Sequence, residues 1–454
     1  MKIERPLWQT RYFVCSLILI GSITNAMVSA AHTFYVSTSG NDVVSCTTAQ
    51  NIATPKRTIN GGMACMAPGD TLYIRSGTYT EKITWSLECR AEAPCTMAGY
   101  PGDARPVIQP SGSYDGILVY KPNTNSSSYV TIKNLDIDAL NQSENLSCMG
   151  IVMQHTTVEN IYCVNAARNG FVVGGNCVGD GCSNYSIIRN NTIVKCGRVQ
   201  PNSDWDTKGI GIYSVSANSL FEGNLIDGCR GGGIEINYDG NRNSIFRNNT
   251  IRNVGILSPW GPVSGTWAGG IGRPTFGRGF AVGGAGVFGP NGPTNNQIYN
   301  NIMYNIKGST GESRCFSFWA GSSSNLIANN ICHNVDTSYV VNCFTTHSNT
   351  TIQNNIFSQA PIAPNVCGTL KGTITNNLTN PNVSATFVNA PSGDFHLKQG
   401  SPAIDAGVTI VRIYADFADT SRPQGAAYDI GAFEYVEQPF GLPFSPTNLR
   451  VISN

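Results

Sequence analysis

Residues 244–255 read SIFRNNTIRNVG: an apolar run, a polar spacer, asparagine, and a second apolar residue. The phrase returns as NYSIIRNNTIVKCG from Asn184, ANSLFEGNLIDGCR from Ala217, NQIYNNIMYNIK from Asn296, and SNLIANNICHNV from Ser324. TTIQNNIF from Thr350 and GTITNNLTN from Gly372 follow, and SYVTIKNLDIDAL from Ser128 is a looser version. The repeated asparagine falls at 134, 160, 191, 224, 249, 301, 330, 355 and 377, at intervals of 22–33 residues with one of 52. A unit of that size marks a solenoid or similar array. Each unit carries a second short run opened by a small residue: GILVY at Gly116, GIVMQ at Gly150, GFVVG at Gly170, GIGIY at Gly209, GIEIN at Gly233, then CFSFW at Cys315 and YVVNCF at Tyr339. The runs are short, alternating and β-branched, with no amphipathic helix between them. That predicts parallel strands stacked coil upon coil, about 4.8 Å apart. Asparagine at the bend tolerates a left-handed backbone and bonds to the asparagines above and below.

Composition agrees with a turn-rich β protein: Gly numbers 49 and charged residues are 13%. A formal charge of +1 supplies neither a nucleic-acid footprint nor a polybasic membrane segment. Lys2, Arg5 and Arg11 precede or flank the apolar run YFVCSLILIGSI, and VSA ends at Ala30. That is the pattern of an export signal over residues 1–30, too short an apolar run to span a bilayer. A secreted or periplasmic protein is expected, a monomer, free of the membrane once the signal is removed. With Cys15 in the leader, 14 of the 15 cysteines remain, an even number suited to an oxidising compartment. Cys89 with Cys95, and Cys177 with Cys182, close short loops and are expected as disulfides. Cys196 and Cys229 share one offset from the repeated asparagine, which leaves buried thiols or a bridge open. No cysteine spacing suggests zinc.

These features together resemble the pectate-lyase-like right-handed parallel β-helix superfamily, over roughly residues 33–435. FYVSTSGND and then KRTINGGMACMAPGDTLYIRSGTYTE from Lys56 are similar to the first coil of many such proteins, where a short helix, here about 58–66, covers the open strand edges. GSPAIDAG at Gly400 and RPQGAAYDIGAFEY at Arg422 are similar to their closing segment. The organisation expected is a leader over 1–30, an all-β helix over 31–435, and a linker or tail over 436–454. The resemblance implies a polysaccharide lying along one strand face.

Fold alone assigns no function, so the outward positions matter. Aligning the second runs on their leading residues puts Ile151, Phe171, Ile210, Ile234 and Phe316 inward. Glu235 then points outward, with Tyr213, Asn237 and Trp319 in the next outward column. Residues 198–208 add Asp204, Trp205, Asp206 and Lys208 one coil from Glu235, and Asp239 follows closely. The Gly/Pro-rich stretch 255–293 carries Trp260, Trp267, Arg273 and Arg278, and excursions this long are usually functional or disordered. Aromatic faces suit pyranose rings, and acids suit hydroxyls or a cation. Glu235, Asp204 and Lys208 are the catalytic candidates. Tyr213, Asn237, Trp319, Trp260, Trp267 and Arg273 are those for substrate, and Asp206 and Asp239 those for calcium. A uronate lyase is favoured over a glycoside hydrolase, because the polygalacturonase-like NTD, DD and GHG motifs are absent. A non-catalytic glycan-binding or structural β-helix remains the alternative, since an exposed β face carries scattered aromatics without any site. His155 and His333 read as structural or exposed.

Overall fold

The computed structural model describes residues 30–122, 126–143, 146–174, 183–198, 209–238, 240–255, 277–283, 292–308, 313–318, 321–336, 340–343, 348–359, 362 and 371–437. The chain winds into three sheets of 12, 11 and nine strands among the described residues. Each coil visits the first sheet, then the second, then the third. Every neighbour within these sheets is therefore one coil away, and every such pairing is parallel. The antiparallel pair Phe387–Asn389 and Asp394–Leu397 lies beyond the last coils. This is the parallel β-helix expected from the repeat.

Alternation explains the interior. In the first sheet Ile188, Phe221, Phe246, Ile298 and Ile327 stack in register, all fully buried. Their neighbours along each strand point out and form surface pairs, such as Arg189 with Glu159 and Arg247 with Glu222.

The bend between the first and second sheets divides the asparagine's two expected roles between neighbours. Asn190, Asn248, Asn300, Asn329, Asn354 and Asn376 take the left-handed backbone. The residue after each one forms a buried amide ladder. Asn224 donates to Asn249 Oδ1 through both its backbone N (3.0 Å) and its Nδ2 (2.9 Å). Asn249 repeats both bonds to Asn301 at 2.9 Å, and the ladder continues through Asn330 and Asn355 to Asn377. Asn134 and Asn160, counted with the repeat, belong to the left-handed column only. Leu135 and Ile161 follow them at the ladder position, and Ile161 N ends the ladder on Asn191 Oδ1.

The corner entering the third sheet is equally tight. A Cβ at Gly170 would stand 2.4 Å from Ile193 Cγ2, one at Gly211 or Gly233 2.5 Å from Ile226 or Ile251, and one at Gly279 2.6 Å from Met303 Sδ. Only glycine leaves room for an aliphatic residue opposite it. In two coils both partners are cysteines instead, and the disulfides Cys148–Cys163 and Cys315–Cys332 occupy the same space. Cys163 and Cys332 stand in the column of Ile193, Ile226, Ile251 and Met303. Cys46–Cys65 and the expected Cys89–Cys95 are also bridged. Cys196 and Cys229 are bridged rather than reduced: stacking sets their Cα atoms 4.5 Å apart, within the range a disulfide spans. Cys177 and Cys182 lie outside the described residues.

The first coil is covered by the helix Ile59–Met63, within the span expected. Thr58 caps it by accepting from Gly61 N, and the Glu81 carboxylate accepts from Ile59 N and Asn60 N at 2.7 and 3.0 Å. At the far end the closing segment packs against the left-handed column. Asn329 donates to Gly431 O at 3.1 Å and Asn354 to Val408 O at 2.8 Å, while buried Arg422 pairs with Glu434.

Asn249→Leu removes the acceptor for the buried Asn224 N–H and the donor to Phe221 O. A loss of about 2–4 kcal/mol is expected, since each buried polar group left unmade costs about 1–3. Arg252 is half-buried and bonded to Asp227 and Tyr304, and Arg252→Ala should cost less than about 1 kcal/mol as a surface pair. Urea denaturation of both variants measures the difference; equal midpoints would remove the ladder from its structural role.

Candidate functional site

The glycine corner sets the register of the third sheet, and with it the site. Phe171 pairs with Ile212, Ile212 with Ile234, Ile234 with Phe280 and Phe280 with Phe316. In GIGIY it is therefore Gly211, not Gly209, that stands at the corner. Ile151 and Ile210, expected in the inward row of Phe171, are displaced by Met149 and Ile212. The two-residue shift moves Tyr213 into the same outward column as Glu235, its direct partner on the next coil. Val172 precedes them in this column, and Ala281 and Ser317 follow. The two large polar side chains sit beside small neighbours on their far side.

Asn237 leaves the strand Gly232–Ile236 immediately after Ile236 and turns back over the pair. Its Nδ2 donates to Glu235 Oε1 at 2.7 Å and to Tyr213 OH at 3.1 Å. Asn237 itself is buried and Glu235 and Tyr213 are half-buried. Glu235 points outward by strand alternation, yet it is not a solvated surface acid. Burial pushes its carboxyl above the usual range, opposed by the positive charges of Arg278 and Arg168 and by the Asn237 bond. The Tyr213 phenol is held well above its ordinary value by burial first, then by the Glu235 charge, so it stays protonated. Burial lowers the pKa of Arg168 and of Arg278, and Glu235 opposes it for both.

The arginines come from one edge of the sheet. Arg278 and Arg314 are register partners at the first positions of their strands, and Arg168 stands two residues before the corner Gly170. Arg168 and Arg314 were not among the sequence candidates, and Arg278 had been noted only within the long excursion. The signal was present as RNGF at 168, RGF at 278 and RCF at 314, a basic residue just ahead of each corner residue. That signal has meaning only relative to the corner, which local pattern does not locate. Asp115 lies at the same edge, half-buried, accepting from Ser147 N at 2.8 Å, with its carboxyl raised by burial. It is four strand steps from Glu235 along the sheet.

Asp204, Asp206, Lys208, Asp239, Trp260, Trp267, Arg273 and Trp319 lie outside the described residues. Among the described residues no three carboxylate, histidine or cysteine groups converge as a metal site. The described groups around Glu235 are guanidinium, phenol and amide, a donor set that does not fit calcium, which wants several oxygen ligands. No helix among the described residues is long and apolar enough to cross a membrane.

The family described as "Pel9A-like, right handed beta helix region" matches residues 34–302, more than half of the chain. The chain belongs to this Pel9A-like family. Among solved structures, pectate lyase Pel9A is 16% identical, with a TM-score of 0.54 over 89% of this chain and 96% of that one. A rhamnogalacturonan lyase is 14% identical, TM-score 0.49, over 82% and 94% of the two chains. XylC in complex with xylose is 10% identical, TM-score 0.49, over 76% and 75%. No curated protein matches the chain. The likeness to Pel9A is one of fold, and the Pel9A-like helix is where Glu235, Tyr213 and Asn237 meet.

A carboxyl whose folded pKa is raised binds its proton more tightly in the folded state. Its contribution to stability is complete below the ordinary value of 4.5 and is lost as pH rises through the folded value. Glu235→Gln keeps the shape and the acceptor for Asn237 but cannot ionise. The variant's melting temperature should match wild type below pH 4.5 and exceed it increasingly above. A constant offset at every pH would show that Glu235 titrates normally.

Proposed function

We propose that the chain is a secreted or periplasmic polysaccharide-active enzyme, a lyase that cleaves a uronate-containing glycan by β-elimination on the third sheet. The carrying observation is the bonded set Glu235, Tyr213 and Asn237 with the Arg168 and Arg278 charges acting on it. Elimination needs a cation to offset the uronate carboxylate, a base for the C5 proton and an acid for the leaving oxygen. Arg168 and Arg278 supply the positive charge. Glu235, whose carboxyl burial raises above its usual range, suits the acid, and Asn237 fixes its direction. Lys208 is the base, taking the C5 proton as the C4–O bond breaks and the C4–C5 double bond forms. Tyr213 stays protonated and donates to the bound sugar. Asp204 is the further catalytic candidate, and Tyr213, Trp260, Trp267, Trp319 and Arg273 are the candidates for binding substrate.

Disulfides throughout the described coils support an oxidising compartment. Calcium held by Asp206 and Asp239 would add further charge against the uronate. A hydrolase would need a second carboxylate within about 10 Å of the first. Among the described residues Asp115 is four strand steps from Glu235, about 19 Å at the spacing of parallel strands, and Asp204 is the candidate for such a pair.

The experiment is incubation of the protein with polygalacturonate, rhamnogalacturonan, alginate and glycosaminoglycans, following the ultraviolet absorbance of the unsaturated uronate product. Glu235→Gln and Lys208→Ala should each lower kcat by about a hundredfold or more, the scale of a lost acid or base. A chelator arm tests the Asp206 and Asp239 site. Reducing ends without unsaturated product would make the enzyme a hydrolase. Binding without either would make it a glycan-binding β-helix.

A further inference from the structure

The corner from the third sheet back to the first holds a second constellation. Its residues take the left-handed backbone in eight successive coils, and in the later five they are Asn218, Asn243, Asn295, Ser324 and Asn349. Three consecutive earlier coils place aromatic rings there: Tyr129 (φ 39°), His155 (φ 55°) and Tyr185 (φ 59°). Bulky side chains are disfavoured in that region, whereas asparagine tolerates it. The scaffold therefore accepts asparagine at this column, and the rings need another reason. Strained residues of this kind cluster at ligand sites.

The three rings stack face to face. Tyr129 and His155 have centroids 4.3 Å apart with planes at 10°, and His155 and Tyr185 are 4.9 Å apart at 5°. Each inner face is thus covered by the next ring, and Tyr129 ends the column. The preceding coil offers exposed Pro94 at the register position, not a ring. Beside Tyr129 lies an open cavity of about 390 Å³, lined also by Glu88, Arg90, Glu92 and Ser127. The Cys89–Cys95 disulfide closes the loop that forms its wall.

We infer that Tyr129 and this cavity form a carbohydrate subsite that takes a neutral pyranose, separate from the Glu235 face. An aromatic ring held by a stack behind it is a rigid platform for the C–H face of a sugar. Carboxylates and a guanidinium at the rim suit paired hydroxyls. Glu88 is paired with Lys121 at 2.7 Å and Glu92 stands with Arg90, so the rim carries no net positive charge to prefer a uronate. The subsite stands four strand steps from Glu235 along the third sheet, about 19 Å. It would hold a neutral stretch or side chain of a glycan while another part lies at Glu235, but it does not depend on the elimination reaction.

The test uses oligosaccharides of galactan, xylan, glucan and mannan, with oligogalacturonate as the charged arm, and calorimetry plus saturation-transfer NMR as readouts. The variants are Tyr129→Asn and Tyr185→Asn, each installing the residue that the same column uses in later coils, so both should fold with wild-type melting temperatures. At least one neutral oligosaccharide should bind wild type and Tyr185→Asn alike, and Tyr129→Asn should weaken it by about tenfold or more. The proposal is overturned if no neutral oligosaccharide binds wild type, if Tyr129→Asn binds as well as wild type, or if both variants lose binding equally. Binding of oligogalacturonate alone overturns it too. Failure of the elimination assay leaves these outcomes unchanged, because none reads turnover.

Discussion

At the bend between the first and second sheets the chain must turn while its backbone is inside the protein, where an N–H without an acceptor is costly. The amide ladder answers this coil by coil. Each asparagine oxygen receives a backbone N–H and a side-chain N–H from the coil before it, and each side-chain nitrogen returns a bond to a buried carbonyl. The bend can therefore be narrow and repeated without water. The left-handed residue just ahead supplies the turn itself, and its outward amide is free to receive the closing segment, as Asn329 and Asn354 do. A pair of adjacent asparagines thus builds both the interior of the helix and the ledge on which the closing segment, Val408 to Gly431, lies.

A second constraint acts at the entrance to the third sheet. There the lumen is so narrow that an aliphatic side chain from the second sheet touches the opposite backbone, and glycine or a disulfide is what fits. The corner acts as a pin on register. Because strand side chains alternate, a slip of two residues preserves inside and outside but changes which outward side chains are neighbours. With Gly211 at the pin, Tyr213 faces Glu235, and Asn237 bonds both. The same pin carries Arg278 and Arg314 to one edge of that face. The chemistry of the face follows from a steric contact on the other side of the backbone.

The two proposed sugar sites differ in charge for reasons that lie in their corners. Around Glu235 the surrounding cations and burial work in opposite directions on one carboxyl. Around Tyr129 the rings are neutral, burial lowers the pKa of His155, and the rim's acids are matched by Arg90 and Lys121. Both regions use positions where a plain repeat residue would serve the scaffold as well.

Much was legible in the amino-acid sequence itself. The apolar–Asn–apolar phrase and the small-residue second runs determine a stacked parallel solenoid, because no amphipathic helical pattern lies between them and their alternation gives each strand one buried face. The Cys89–Cys95 bridge and the outward direction of Glu235 follow from local pattern as well, and the capping helix from the resemblance carried by the first coil. What the sequence left undecided is lateral. Whether the first or second asparagine of a pair bends the chain, whether Gly209 or Gly211 stands at the corner, and whether Cys196 meets Cys229 are matters of contact between residues about thirty apart. Gly209 and Gly211 have the same parity, either asparagine of a pair suits a bend, and the cysteine offset fits thiols or a bridge, so local pattern does not discriminate between the choices. Only stacking, by placing Ile226 against Gly211 and 4.5 Å between two cysteine Cα atoms, decides the register, and the register decides the site.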